Sequence, residues 1–164
     1  MQTSYAIAIG ANVRGRHGAP RAAVRAALAL LGGRASAILD TPPLGPSRRR
    51  FANAVAVIDS DEPPDELLTR LKRIERDFGR RAGRRWGARV LDLDIVLWSG
   101  GAWAGDALIV PHPAFRERGF VLDPLAALAP GWRDPVTGLT VRHLHARLTR
   151  RRAGPSRAHH GEGP

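Results

Sequence analysis

The run RVLDLDIVLW at residues 89–98 restricts the fold of this chain more than any other segment. Its apolar residues predict a buried β-strand, yet two aspartates, Asp92 and Asp94, stand within it. Because side chains alternate across a strand, the two carboxylates project from the same face, about 7 Å apart along the backbone. The opposite face is covered by Leu91, Leu93, Ile95 and Leu97. Partly buried anions without a partner are costly, so we expect something cationic to meet them.

Length and composition indicate one domain. With 164 residues, 43% of them hydrophobic, the chain is long enough for one well-packed core, which we place at residues 1–149, and too short for two. The composition of residues 150–164 predicts that they form a basic, disordered tail. There is no cysteine, which excludes disulfides and thiolate metal sites. Neither a signal peptide nor an apolar run of about 18 residues is present, so we expect a soluble cytoplasmic protein without membrane contact.

The net charge of +11 comes almost entirely from arginine, since Lys72 is the only lysine. Such a charge favours polyanionic partners, which include nucleic acid, phosphate-rich small molecules and anionic membrane surfaces. The arginines cluster at residues 48–50, 80–89 and 147–152 rather than along one helix face. Charge alone does not choose among these partners.

Hydrophobic periodicity predicts a mixture of strands and helices without strict alternation. Besides 89–98, strands are predicted at 5–11, 35–39 and 53–59. Helices are predicted at 20–32, at 60–79, around DPLAAL at 123–128, and at 140–148. Short loops join strand to strand, which indicates an α+β domain with a largely antiparallel central sheet and helices packed on it.

The paired aspartates allow two interpretations. Hard carboxylate oxygens suit Mg²⁺, which binds one or two carboxylates together with substrate phosphates. Alternatively, the aspartates form salt bridges with neighbouring arginines on a solvated sheet face. The preceding segment, 79–89, is rich in arginine and glycine, as expected either for a solvated loop or for a pliable lid over a nucleotide. Two anions beside many cations favour a site for a metal and a triphosphate.

Two common nucleotide-binding motifs are absent from the sequence. G-x-x-x-x-G-K-[ST] does not occur and the sole lysine lies within a predicted helix, which excludes a P-loop fold. G-x-G-x-x-G is absent as well, so a Rossmann dinucleotide site is not expected.

Several motifs occur together in one order along the chain: AIGAN (8–12), TPPLGP (41–46), FANAVAVI (51–58), RRWGARVLDLDIVLW (84–98) and LIVPHPAFRERGFVLDPLAALAP (108–130). Across residues 5–145 the chain therefore resembles the 6-hydroxymethyl-7,8-dihydropterin pyrophosphokinases of folate biosynthesis. The resemblance implies a ferredoxin-like α/β/α sandwich. It also implies transfer of diphosphate from ATP to the pterin hydroxymethyl group with release of AMP. Two Mg²⁺ ions would be held by Asp92 and Asp94.

The resemblance also assigns residues to each substrate. The implied pterin pocket contains Thr41, Pro42, Leu44, Phe51, Asn53, Trp86 and Phe120. The implied ATP site contains Lys72, Glu75, Arg85, Trp86, Arg89, Ile95, Ile109, His112 and Arg118. The implied catalytic residues are Arg80, Arg89, Asp92 and Asp94. Phe51 and Phe120 would pack against the two faces of the flat pterin ring, and Asn53 would form hydrogen bonds with its polar edge.

Some positions depart from the family pattern, and two other functions stay open. Ala11 and Val13 stand where relatives have serine and leucine, Phe51 replaces a common tyrosine, and Lys72 replaces a glutamine. None of these changes removes a metal ligand, so we expect an active, monomeric enzyme that binds small molecules. One alternative is a degenerate paralogue that binds nucleotide or pterin without catalysis. The other is a nucleic-acid-binding module, which explains the charge but not the paired aspartates.

Overall fold

A single antiparallel sheet forms the centre of the molecule. The computed structural model describes residues 1–42, 49–79 and 89–154. Within these ranges the sheet contains β1 (Thr3–Ala11), β2 (Arg34–Ala35), β3 (Leu39–Thr41), β4 (Phe51–Ser60) and β5 (Asp92–Trp98). β1 lies between β4 and β5, and β2 and β3 both pair with the other edge of β4. A separate short antiparallel pair is formed by β6 (Trp103–Ala104) and β7 (Ile109–Val110).

Helices cover both faces of this sheet. α1 (Pro20–Leu31) and α2 (Pro64–Asp77) pack on one face, and α3 (Gly119–Leu128) and α4 (Val141–Ala153) pack on the other. α1 connects β1 to β2, α2 connects β4 to β5, and each connection passes over a strand that lies between the two it joins. Two such split β-α-β units form the ferredoxin-like arrangement. The predicted α/β/α sandwich with an antiparallel sheet is confirmed.

The sheet is apolar on both faces because each face supports its own core. β1 contributes Tyr5, Ile7 and Ile9 to the core under α1 and α2, and it contributes the intervening Ala6 to the core under α3 and α4. A strand covered on both faces is expected to be a nearly continuous apolar run. Asn53 on β4 and Asp92 and Asp94 on β5 are polar residues that interrupt the apolar sequences of their strands. All three line one cavity.

A β-bulge in β5 places Leu97 on the opposite face of the sheet from the one predicted. Ala6 pairs with Leu97 while Ile7 pairs with Ile95, so Val96 is the extra residue between them. Leu93 and Ile95 pack under α1 and α2 as predicted, whereas Leu97 packs in the core under α3 and α4. The prediction that Leu97 shares a face with the other leucines of the strand is therefore wrong.

Several predicted element boundaries also shift. The strand predicted at 35–39 is two short strands, β2 and β3, and the helix predicted from residue 60 begins at Pro64 because β4 continues to Ser60. α4 continues past residue 148 to Ala153, where Gly154 with a φ of 60° follows it. Residues 150–153 are therefore helical rather than part of a disordered tail. The division into a domain and a tail otherwise stays a prediction.

Membrane insertion through a helix finds no support in the structure. Over residues 1–42, 49–79 and 89–154, none of the helices combines the length and apolar character needed to cross a bilayer.

Candidate active site

A cavity of about 150 Å³ opens where β1, β4 and β5 meet α3 and the segment before it. It brings together many of the residues that the sequence assigned to two different substrates. The predicted residues that line it are Thr41, Phe51, Asn53, Arg89, Asp92, Asp94, His112, Arg118 and Phe120. Its floor over β1 is open because Gly10 lies opposite Asp92 and Ala8 lies opposite Asp94 in the β1–β5 ladder. Small side chains at those positions leave room for a ligand above the sheet.

Asp94 has no close partner among the residues that the structure describes. No hydrogen bond or ion pair reaches it from the part of the chain that the structure describes. Burial raises the pKa of Asp94, and the neighbouring charge of Asp92 raises it further, while His112, Lys72 and Arg118 act in the opposite direction. Burial and a like charge together favour the arrival of a cation at this position.

Asp92 has a nearby arginine as its partner. The guanidinium of Arg89 lies 3.4 Å from an Asp92 carboxylate oxygen, with both side chains partly exposed. The arginine thus neutralises one edge of the carboxylate pair while its remaining N–H groups stay available for other anions. The salt-bridge interpretation therefore accounts for Asp92 in part, and it does not account for Asp94.

The ligand atoms available around Asp92 and Asp94 determine whether this carboxylate pair can hold a metal ion. Among the described residues there is no group of three or more His, Cys, Asp or Glu side chains that could hold a metal ion. The described side chains therefore do not supply all the ligands of a metal ion by themselves. Mg²⁺, in contrast, commonly binds through one or two carboxylates and takes its other ligands from water and substrate phosphates. The pair therefore fits Mg²⁺ delivered together with a phosphate substrate.

His112 is held in one orientation at the rim of the cavity. Its backbone N–H donates to the carbonyl of Val96 at 3.0 Å, and its ring Nδ1 accepts the N–H of Ala114 at 3.2 Å. Burial lowers the pKa of His112 and Arg118 adds to that lowering, whereas Asp94 opposes it. Since Nδ1 is an acceptor, the neutral ring carries its proton on Nε2. The side chain is then a neutral hydrogen-bond donor.

The lining of the cavity also includes two aromatic rings and one fixed amide. Phe51 at the start of β4 and Phe120 in α3 both line it. Asn53 is buried, and its Nδ2 donates to the hydroxyl of Thr41 at 2.6 Å. A Cβ at Gly10 would lie 3.1 Å from Asn53 Oδ1, so glycine leaves the space that this amide occupies. A cavity lined by two aromatic rings and an amide can bind a flat ring with polar edges.

A family model described as 7,8-dihydro-6-hydroxymethylpterin-pyrophosphokinase (HPPK) matches residues 6–130. The chain belongs to the HPPK family. The relation predicted from the sequence motifs is thereby confirmed, and it supports a pyrophosphokinase role in folate biosynthesis. The alternatives of a binding-only paralogue and a nucleic-acid module are not favoured.

Individual HPPK relatives agree with the family match. A 2-amino-4-hydroxy-6-hydroxymethyldihydropteridine pyrophosphokinase of Methylorubrum extorquens is 41% identical over 114 residues, which cover 69% of this chain and 71% of the relative. A protein of the same name from Bacillus subtilis is 34% identical over 164 residues, covering 95% of this chain and 96% of the relative.

Solved HPPK structures share the fold. A crystal structure of Plasmodium falciparum HPPK-DHPS A437G with SDX-DHP aligns with a TM-score of 0.73 at 14% identity. The alignment covers 94% of this chain and 47% of that one, so this chain spans about half of the Plasmodium protein. At this identity the likeness shows the fold alone.

Some residues that the HPPK resemblance assigned to substrates do not line the cavity. They are Pro42, Lys72, Glu75, Ile95 and Ile109. Glu75 is fully buried on α2, where its Oε1 accepts the N–H of Leu93 at 2.8 Å and its Oε2 lies 3.3 Å from Lys72 Nζ. Ile95 packs in the core under α1 and α2, and Ile109 is exposed. The predicted site residues Leu44, Arg80, Arg85 and Trp86 lie outside the described residues.

The HPPK motifs also missed part of the lining, namely Ala8, Ile9, Gly10, Ala54, Val96, Phe115 and Val121. A sequence signal exists for Ala8 and Gly10, because two small residues two positions apart share one strand face. No such signal exists for Phe115 and Val121. They reach the cavity only through the packing of α3 against the sheet.

Proposed function

We propose that this chain transfers diphosphate from ATP to the hydroxymethyl group of 6-hydroxymethyl-7,8-dihydropterin, releasing AMP and the pterin diphosphate. The reaction depends on two Mg²⁺ ions associated with Asp92 and Asp94. The observation that carries the proposal is that one cavity joins a carboxylate pair to an aromatic pocket containing a fixed amide. A cytoplasmic location and a monomeric state stay predictions from the sequence.

The aromatic residues and the amide of the cavity accommodate the pterin. Phe51 and Phe120 present apolar rings to a flat bicyclic ligand. Asn53 is oriented before the ligand arrives, because the bond to Thr41 holds its amide in place. A preorganised amide loses less conformational entropy on binding than a free one. It can therefore discriminate the polar edge of the pterin at little cost.

The charged residues of the cavity accommodate the triphosphate. Mg²⁺ at the carboxylate pair supplies neutralisation of the phosphate charge and a template for its orientation. Arg89 and Arg118 present forked guanidinium groups that suit phosphate oxygens. His112 donates its Nε2–H to a phosphate oxygen. Together these groups bring the pterin hydroxymethyl group and the phosphate chain into one geometry, which is the main requirement for phosphoryl transfer.

The proposal is tested by measuring AMP release from ATP. We expect AMP only when ATP, 6-hydroxymethyl-7,8-dihydropterin and Mg²⁺ are all present, and we expect EDTA to reduce the rate to background. ADP in place of AMP would show phosphoryl rather than diphosphoryl transfer and would contradict the proposal. Binding of ATP or pterin without AMP formation would identify a binding-only relative.

A further inference from the structure

Asn12, the first residue after β1, is tied to Arg89 by hydrogen bonds in both directions. The Asn12 side-chain Oδ1 accepts the backbone N–H of Arg89 at 2.6 Å. The Asn12 backbone N–H donates to the carbonyl of Arg89 at 2.8 Å, and the N–H of Val13 lies 3.3 Å from the same oxygen. Asn12 is itself buried, with 5% of its surface exposed. The donor and the acceptor of the Arg89 backbone are thus both bound to this short segment.

These bonds fix the backbone of Arg89, which lies beyond the end of the β1–β5 ladder and is not held by it. The last pair of the β1–β5 ladder is Gly10 with Asp92, and β5 begins only at Asp92. Arg89 nevertheless lines the cavity and reaches Asp92 through its guanidinium at 3.4 Å. A long side chain can reach a fixed target only from a suitable backbone position. The Asn12 bonds provide that position.

Two further contacts keep the segment after β1 against the same region. Gly15 lies so close to Val90 that a Cβ at residue 15 would come within 2.5 Å of Val90 Cγ1. The ring of His17 stacks on Phe78, with their centroids 4.1 Å apart. Residues 12–17 therefore contact the chain on both sides of the segment 79–89. This arrangement makes independent movement of Asn12 and Arg89 unfavourable.

We infer that Asn12 is a positioning residue for Arg89, and that the amide of Asn12 sustains turnover by fixing the backbone from which Arg89 reaches the phosphates. This inference rests on the proposed function. It concerns Asn12 itself, which is not among the described residues that line the cavity. A misplacement of about 1 Å in a positioned group can lower a rate by as much as 100-fold.

The test is a double-mutant cycle measured by steady-state AMP formation. Asn12→Leu removes the acceptor at similar volume, and we expect it to lower kcat at least 10-fold while the KM for the pterin changes less than 2-fold. Asn12→Asp keeps an acceptor and should retain more activity than Asn12→Leu. With Arg89→Ala already present, Asn12→Leu should lower kcat less than 2-fold further, because the residue through which it acts is gone.

Controls separate this inference from a general loss of structure. Ser36→Ala removes a bond of the same kind, in which the Ser36 hydroxyl accepts the N–H of Val55 at 2.9 Å, and it should leave kcat unchanged. The inference is wrong if Asn12→Leu lowers kcat by the same factor with and without Arg89, or if its effect is on pterin KM alone. Absence of AMP formation by the unaltered protein would instead contradict the proposed function.

Discussion

At the scale of single residues, two aspartates of this protein have pKa values that are shifted in opposite directions, although burial raises the pKa of both. Asp134 accepts two hydrogen bonds from Arg116, at 2.6 and 2.8 Å, and further bonds from the Thr137 hydroxyl and the Val136 N–H. Burial by itself would raise the pKa of Asp134, but these donors outweigh it and lower the pKa to about 2. Asp94 lacks such donors among the described residues, and its pKa is raised. The comparison shows that hydrogen-bond donors decide the direction of the shift: Asp134 has four such bonds, and Asp94 has none from the described residues.

The Asp134 cluster leads to a prediction about stability. Asp134→Asn should lower the free energy of unfolding by about 2–3 kcal/mol at pH 7, because it removes a buried charge-assisted pair. Since the pKa of folded Asp134 lies below its unfolded value, this contribution is complete above about pH 4 and is lost as the pH falls towards 2. Urea unfolding of both proteins at pH 7 and near pH 2.5 measures the difference.

Asp123 provides the control for that measurement. Its carboxylate is 45% exposed and lies 2.8 Å from His145, on the surface of the helix pair formed by α3 and α4. Asp123→Asn should change the free energy of unfolding by less than about 1 kcal/mol at pH 7. A stability difference for Asp134→Asn that is the same at both pH values would show that the Asp134 charge does not contribute.

At the scale of elements, the turn after α1 illustrates what a sequence pattern can predict. Glycine is common just after the last turn of a helix, and Gly32 and Gly33, which follow α1, both have positive φ values, 71° and 73°. A residue with a Cβ is strained by about 1–3 kcal/mol in such sparsely populated backbone conformations. The sequence does not show that the two positions differ. A Cβ at Gly33 would lie 2.2 Å from the carbonyl oxygen of Val57, whereas a Cβ at Gly32 would have open space.

This difference can be measured by replacing each glycine with alanine. Gly32→Ala should lower the free energy of unfolding by only the backbone strain, about 1–3 kcal/mol. Gly33→Ala should lower it by more, because the strand carrying Val57 must also move. Chemical denaturation of the two variants makes the comparison. Equal losses would mean that contact between this turn and β4 has no energetic consequence.

The strand β5 shows where the periodicity argument fails. Alternation correctly places Asp92 and Asp94 on one face, because the ladder with β1 is regular from Asp92 to Ile95. Leu97 lies beyond the bulge at Val96 and faces the other way. A bulge is set by how the neighbouring strand pairs, and no local feature of RVLDLDIVLW predicts it. Periodicity therefore holds only up to the first irregularity of the ladder.

At the scale of the whole molecule, the fold could be predicted because independent motifs occur in one order along the chain. The cavity could be predicted only in part. Residues with distinctive chemistry, such as Asp92, Asn53 and His112, were identified in advance, while the apolar lining from Phe115 and Val121 depends on how α3 packs. Glu75 was assigned to ATP, yet the structure shows it buried and bonded to the Leu93 backbone. Its role in ATP binding stays a prediction.

The central claim is that the two strand aspartates serve phosphate transfer while the aromatic residues and Asn53 of the same cavity bind the pterin. The most direct measurement compares Mg²⁺-dependent AMP formation and pterin affinity in Asp92→Asn and Asp94→Asn. Asp59→Asn is the control, since Asp59 is an exposed strand aspartate that accepts the Ser4 hydroxyl at 2.6 Å.

We predict that each site variant lowers AMP formation about 100-fold or more and changes the pterin Kd less than about 3-fold. Asp59→Asn should behave as the unaltered protein. Full Mg²⁺-dependent turnover in either site variant would contradict the account.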